Sequence, residues 1–315
     1  MDELLRVEQL SKSYMRDKTQ VHAVRDVSLA IQKGETLGLV GESGCGKTTL
    51  GRSILRLYEP DAGRVFFDGQ LFFDKALKTQ PDAASFRRRM QMVFQDPGGS
   101  LDPRRTVAQA VEQALRVHRL FPEKGARQAR ILELLALVGL GEGQMEAYPH
   151  QLSGGQQQRA AIARALAAEP EFLICDEPVS ALDLSIQAQI ITVFQDLQAR
   201  MGLSYLFIGH DISVVRQVAQ RIAVMYAGRI LEEARSDALV AVPRHPYTRA
   251  LLVAVPGAKP MQAGKAAPLP IAAAEQAPDG CPYFARCSLA EARCRAELPA
   301  LREVAAGHKA ACHLA

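Results

Sequence analysis

The stretch "ETLGLVGESGCGKTTLGRSILRLY", Glu35 to Tyr58, decides the fold class. A short apolar run ends at Gly41, a glycine-rich loop follows, and apolar residues return at helical spacing after Lys47, so the segment reads strand, loop, helix. The loop fits G-x-x-x-x-G-K-[ST], a pattern with a physical basis. Backbone N–H groups through Gly41, Ser43, Gly44, Cys45 and Gly46 can wrap phosphate oxygens, and Lys47 neutralises the β and γ oxygens. The Thr48 hydroxyl, with Thr49 behind it, can ligate Mg²⁺. Cys45 sits at a variable position of the pattern, and packing accounts for it.

Two further apolar runs read as strands buried on both faces and ending in polar groups: "EFLICDEP", Glu171 to Pro178, and "LSYLFIGHD", Leu203 to Asp211. Open α/β sheets bind ligands at the carboxyl ends of their strands. Asp176 can hold Mg²⁺ through its water shell, Glu177 stands where an attacking water needs a base or orienting group, and His210 becomes a candidate γ-phosphate contact. Between these runs the pattern turns helical, with "TVAQAVEQALRVH" from Thr106 and "GARQARILELLALVGL" from Gly125. The expectation is an α/β domain with a helical subdomain inserted at about 96–168.

"LSGGQQQRAAIARAL", Leu152 to Leu166, offers a second anion site. Ser153 can cap the helix, Gly154 and Gly155 let backbone N–H groups approach a ligand, Gln156 follows, and the helix dipole favours negative charge. One chain thus carries two phosphate-binding devices far apart in sequence.

Composition narrows the classes. The 38 basic residues barely outnumber 34 acidic ones, for a net charge of +4, so no basic stripe argues for nucleic acid. The start, "MDELLRVEQL", lacks the basic and apolar regions of a secretory signal, and the chain is expected to begin there and stay in the cytosol. No apolar run approaches the ~18 residues of a membrane span. From 255 to 280 the chain is rich in Pro, Ala and Gly without periodicity, as a linker is. Beyond it lie four of the six cysteines, Cys281, Cys287, Cys294 and Cys312, separated by five, six and seventeen residues. Cytosolic cysteines argue against disulfides.

Together these motifs resemble the ATP-binding subunit of ABC transporters, in that family's order: the loop at Gly41, "FQDP" with Gln95, "LSGGQ", "LICDEP" with "SALD" ending at Asp183, and "GHD" with His210. The resemblance implies a P-loop ABC-type domain over 1–235, an extension and linker over 236–280 and a Cys-rich tail over 281–315. It implies that Tyr14 in "LSKSYMRD" stacks on adenine, that Gln95 senses Mg²⁺ and the partner, that Asp183 belongs to the nucleotide site, and that ATP is hydrolysed to ADP and phosphate. Two such subunits, related or identical, pair head to tail in the family, so the Ser153–Gln156 helix end closes on ATP held by the other chain. That explains the two anion sites.

"MVFQDPGGSLDPRRTV" from Met92, "HPYTRALL" from His245, and the tail's "GCPYFARCSLAEARC" and "GHKAACHL" resemble the oligopeptide and dipeptide importers, whose relatives also take up nickel. The implied partners are two transmembrane permease chains and, indirectly, an external solute-binding protein, with the chain peripheral on the cytoplasmic face of the inner membrane and no nucleic acid involved. Gly209 and Cys175 depart from the family's usual Thr and aliphatic residue. The alternative is a soluble ABC ATPase acting on nucleic acid or ribosomes, against which the single set of motifs counts.

Four thiolates suit either zinc or an iron–sulfur cluster, and the absence of a C-x₂₋₄-C pair favours the cluster, [4Fe–4S], as does the resemblance. His308 and His313 are substitute ligands. The other readings are unligated thiols in a small helical cap, or a redox or metal sensor acting on the ATPase.

Overall fold

The computed structural model describes residues 2–16, 19–253 and 279–315. The linker expected over 255–280 lies, except for its last two residues, outside them. The described residues form two sheets. β1 (Glu3–Arg16), β2 (Thr19–Gln32), β4 (Ala62–Phe67) and β5 (Gln70–Asp74) make an antiparallel sheet in the order β2-β1-β4-β5. The second sheet runs β11-β12-β10-β9-β3-β8-β7-β6, built from β3 (Thr36–Val40), β6 (Met90–Val93), β7 (Phe172–Asp176), β8 (Ser204–Gly209), β9 (Arg221–Tyr226), β10 (Arg229–Arg235), β11 (Arg302–Ala305) and β12 (His308–Ala310).

Strands β6, β7, β8, β3 and β9 pair in parallel. Every residue of β3 and β7 is buried, as parallel strands covered on both faces must be. The two-residue period of the strand then sorts side chains between two cores. Phe172, Ile174, Leu206, Ile208 and Ala223 join the core under the antiparallel sheet. Leu173, Cys175, Tyr205, Phe207 and Val224 face the core under the helices.

Between β6 and β7 the described chain is helical, and this inserted subdomain includes Val107–Val117, Lys124–Leu137 and Gly154–Leu166. The first of these starts at a reciprocal cap, in which the Thr106 side chain accepts from the Gln109 N–H and the Gln109 side chain accepts from the Thr106 N–H.

The tail is not a purely helical cap. Alongside the short helix Ala292–Ala296 it forms the β11–β12 pair, and β12 adds to β10 with Glu232 opposite Ala310 and Glu233 opposite Lys309. The C-terminal residues therefore extend the same sheet that carries the phosphate loop.

Candidate functional site

The loop leaves β3 and enters the Lys47–Ile54 helix. Two of its glycines are sterically required. Gly46 has φ 110°, and a Cβ there would lie 2.0 Å from the Ala23 carbonyl oxygen; a Cβ at Gly41 would lie 2.1 Å from that of Met225. Lys47, 4% exposed, donates to the carbonyls of Gly41 at 2.8 Å and Glu42 at 3.1 Å. Cys45 is buried in the core, where burial pushes its thiol up. Ser43 and Gly44 are exposed at the loop's tip.

The acidic pair comes to the loop from the end of β7. Thr48 donates its hydroxyl to Asp176 Oδ1 at 2.8 Å. Asp176 is fully buried, burial raises its carboxyl above the usual range, and Oδ2 has no hydrogen-bond partner. A buried carboxylate oxygen left unpaired is costly. Beside the Thr48 hydroxyl, it fits a hard cation such as Mg²⁺, which takes oxygen ligands.

Glu177 follows with φ 46°, a left-handed backbone that is strained for a non-glycine residue and recurs at functional sites. Its carboxylate is the hub of the site. Lys47 Nζ lies 3.8 Å from Oε1, Gln95 donates through Nε2 to Oε2 at 3.1 Å, and His210 Nδ1 lies 3.6 Å from Oε2. A cavity of about 120 Å³ opens beside Glu177, Ser180, Gln187 and His210. Lys47, Thr48, Asp176, Glu177, Gln95 and His210, drawn from four separated stretches, thus converge.

Tyr14 is 36% exposed. It packs edge-on against Tyr58 with ring centroids 5.9 Å apart, and burial raises its phenol above the usual range. The residues of "LSGGQ" do not join this cluster. Ser153 accepts from the Gln156 N–H at 3.3 Å while Gln156 Oε1 accepts from the Ser153 N–H at 2.9 Å, and Ser153 and Gly154 stay exposed. Gly155 is buried against Ile186. Asp183 caps the next helix, accepting from the N–H groups of Ser185 and Ile186 at 3.1 and 3.0 Å, and the Ser185 hydroxyl holds its carboxyl below the usual range.

In the tail, Cys281, Cys287, Cys294 and Cys312 line one small cavity together with His245 and His313. Burial pushes the Cys281 thiol up to about 11, with the other three cysteines adding to the effect. Among the described residues, no group of three or more His, Cys, Asp or Glu is drawn close enough to hold a metal ion as placed. His308 points elsewhere: its Nε2 is 2.7 Å from Oε1 of Glu232, a fully buried carboxylate that also accepts from the N–H groups of Arg244 and His245 at 2.7 and 2.9 Å.

Sequence reasoning missed three residues on the loop's outer side. Glu42 is held by Arg286 from the tail, and its N–H donates to the Tyr247 hydroxyl at 2.9 Å. "HPYTRALL" was a signal, but its tyrosine has no periodicity or motif chemistry that points to the loop.

Residues 24–180 match the ABC transporter family, and residues 231–294 match the C-terminal region of oligopeptide/dipeptide transporters. The chain is 50% identical over 255 residues to the oligopeptide transport ATP-binding protein OppF of Bacillus subtilis, covering 81% of this chain and 83% of that protein. It is 45% identical to a probable peptide ABC transporter ATP-binding protein of Sinorhizobium fredii, over 99% of this chain and 90% of that one. Among solved structures, the dimeric ATP-binding cassette MJ0796 in a post-hydrolysis state with ADP and phosphate superposes with TM-score 0.66 at 31% identity, over 74% of this chain and 99% of that one. With the phosphate loop, the acidic pair and the inserted helices in the positions described, the chain belongs to the ABC transporter ATP-binding family and is an ATP-hydrolysing subunit of its oligopeptide/dipeptide branch.

Proposed function

We propose that this chain energises a peptide importer from the cytoplasmic face of the cell membrane. The observation that carries the reading is the convergence of Lys47, Thr48, Asp176, Gln95 and His210 on and around Glu177. The match at residues 231–294 and the peptide-transport names of the relatives support the solute class. No comparison favours a ribosomal or nucleic-acid role.

In this reading the N–H groups of Gly41 to Lys47 and the Lys47 ammonium hold the triphosphate. Thr48 and Asp176 would hold Mg²⁺, and the ion would supply charge neutralisation at the phosphate oxygens. Glu177 accepts the proton of the attacking water, while Gln95 fixes the carboxylate through its donated hydrogen bond and His210 reaches the γ-phosphate. Tyr14, partly exposed beside Tyr58, receives the adenine ring. Ser153 to Gln156 present an exposed capped helix start whose anion is not in this chain's own cluster. A second subunit, identical or related, supplies that anion head to tail, with Asp183 beside the shared site. The dimeric neighbour supports such pairing.

Among the described residues no helix is long and apolar enough to cross a membrane, so translocation belongs to two permease chains, fed by an external binding protein. An apolar groove of about 420 Å³ lined by Leu57, Phe72, Phe86, Met90, Phe94 and Val117 suits a helix of such a chain. Phe94 adjoins Gln95, which connects the groove to Glu177. We take 1–235 as the ATPase domain and 236–280 as its extension and linker. In the tail, 281–315, the four cysteines share one cavity and suit a [4Fe–4S] cluster, with zinc as the alternative. The group would serve as a cross-link for a segment too short to build its own core.

Affinity purification of the full chain from detergent-solubilised membranes tests the assignment. Two permease chains in the eluate are expected; recovery with ribosomes and no membrane chain would overturn it.

A further inference from the structure

Glu42 is the only acidic residue in the loop from Gly41 to Thr49, and a carboxylate there opposes the binding of a polyanion. Its charge is met by a residue 244 positions away in sequence: Arg286 Nη1 and Nη2 donate to Glu42 Oε2 and Oε1 at 2.8 and 2.9 Å. Such a two-pronged pair is strong and directional. It is also sheltered, the side chains of Arg286 and Glu42 being 10% and 26% exposed. The guanidinium is itself held in place, 5.7 Å from the ring centroids of both Tyr226 and Tyr283. Those two rings and Tyr247 pack against one another with centroids 4.7 to 5.3 Å apart. Tyr247 in turn fixes the backbone of Glu42 by accepting its N–H at 2.9 Å. The loop's one unfavourable charge and one of its amides are thus both set by residues outside the ATPase motifs.

We propose that Arg286 and Tyr247 are positioning residues for the nucleotide loop, with Arg286 masking the Glu42 carboxylate from the triphosphate so that the C-terminal tail sets the affinity for ATP. The inference rests on the reading that Gly41 to Thr49 holds the triphosphate. The Arg286 guanidinium and the Tyr247 hydroxyl bond at Glu42, whereas the polar partners of the Glu177 carboxylate lie at Lys47, Gln95 and His210, so the effect falls on binding and leaves the chemical step alone. The sign is specific: unmasking Glu42 weakens ATP binding, and neutralising Glu42 as well restores it. Tail docking and nucleotide binding then favour each other, and anything that dislodges Arg286 lowers nucleotide occupancy.

The test is Mg-ATP titration calorimetry on the full-length chain, paired with hydrolysis at saturating ATP in the assembled transporter. Arg286→Gln is expected to raise the Kd for Mg-ATP about 10-fold, the scale of one charged hydrogen-bond pair. The loss should shrink as salt is raised, and saturated turnover should stay within about 2-fold of the parent. Glu42→Gln should bind at least as tightly as the parent, and the double variant should return to within about 3-fold of it. Tyr247→Phe should weaken binding by a smaller factor that salt does not change. Should Arg286→Gln lose its fold, Arg286→Lys serves in its place, with the same sign and a smaller effect. An unchanged Kd in Arg286→Gln, or a double variant as weak as Arg286→Gln itself, would overturn the masking. Lys47→Ala separates the two readings: if it still binds ATP, the loop assignment fails and the inference falls with it.

Discussion

Replacing Glu177 by glutamine keeps the shape of the side chain and removes only its charge and basicity. The carboxylate stands 3.8 Å from Lys47 Nζ, with the two side chains 13% and 4% exposed. At an effective dielectric of ~20 that attraction is about 4 kcal/mol before desolvation offsets it. Glutamine releases Lys47 for the phosphates and removes a negative group from the site, so ATP affinity is expected to hold or rise. Hydrolysis moves the other way. Without a base for the water, turnover should fall at least about 10²-fold, a barrier increase of about 2.7 kcal/mol. The Gln95 contact at 3.1 Å survives in altered form, because the amide retains one acceptor oxygen. Equilibrium ATP binding and single-turnover hydrolysis in the assembled transporter separate the two effects, and closed, ATP-loaded dimers should accumulate. Turnover near that of the parent would refute the role of Glu177; loss of ATP binding would refute the separation of cradle from base.

The remaining predictions concern other parts of the site. Asp176→Asn keeps an acceptor for the Thr48 hydroxyl, so it should raise the Mg²⁺ concentration needed for tight ATP binding about 10-fold or more, measured by titrating Mg²⁺ at fixed ATP. The same variant has a pH signature in the nucleotide-free chain. Burial raises the Asp176 carboxyl above 3.8, so its charged form costs stability at neutral pH, and that cost is relieved as pH falls through the raised value. Asp176→Asn should therefore melt about 2–4 °C higher than the parent at pH 7, with the gain fading on acidification and followed by calorimetry. Ser153→Arg should abolish ATP-driven pairing of two subunits, read by light scattering, while the isolated chain still binds ATP. Protein purified without oxygen should contain iron and acid-labile sulfide, both lost in Cys287→Ser with ATP binding intact; stoichiometric zinc, or no metal, would replace that reading of the tail.

The parts of the molecule legible in the sequence are those where chemistry fixes residue type at short range. A loop that wraps phosphates needs glycines at set positions, and Gly46 with φ 110° is such a requirement. Strands buried on both faces must read as unbroken apolar runs, which is why β3, β7 and β8 stand out. Asp176 and Glu177 could be read because they end one of those runs. The antiparallel sheet was harder to see, since β2 carries the mixed exposure of a partly solvated strand. The docking of the tail was illegible for another reason. Mostly exposed β11 has no alternation to detect, and its neighbour β12 is placed by pairing with β10, set by long-range contacts. The Glu42–Arg286 pair shares that origin, because two charged residues 244 positions apart carry no local pattern.

The most direct test of the account is peptide uptake by the whole transporter reconstituted in liposomes, with this chain, its partner ATPase, the permease chains and the binding protein, and with ATP supplied on the ATPase face. ATP-dependent accumulation of a labelled oligopeptide, stimulated hydrolysis when the loaded binding protein is added, and loss of both in Glu177→Gln are the predicted results. Hydrolysis that ignores the peptide-loaded binding protein, or uptake that continues in Glu177→Gln, would contradict it.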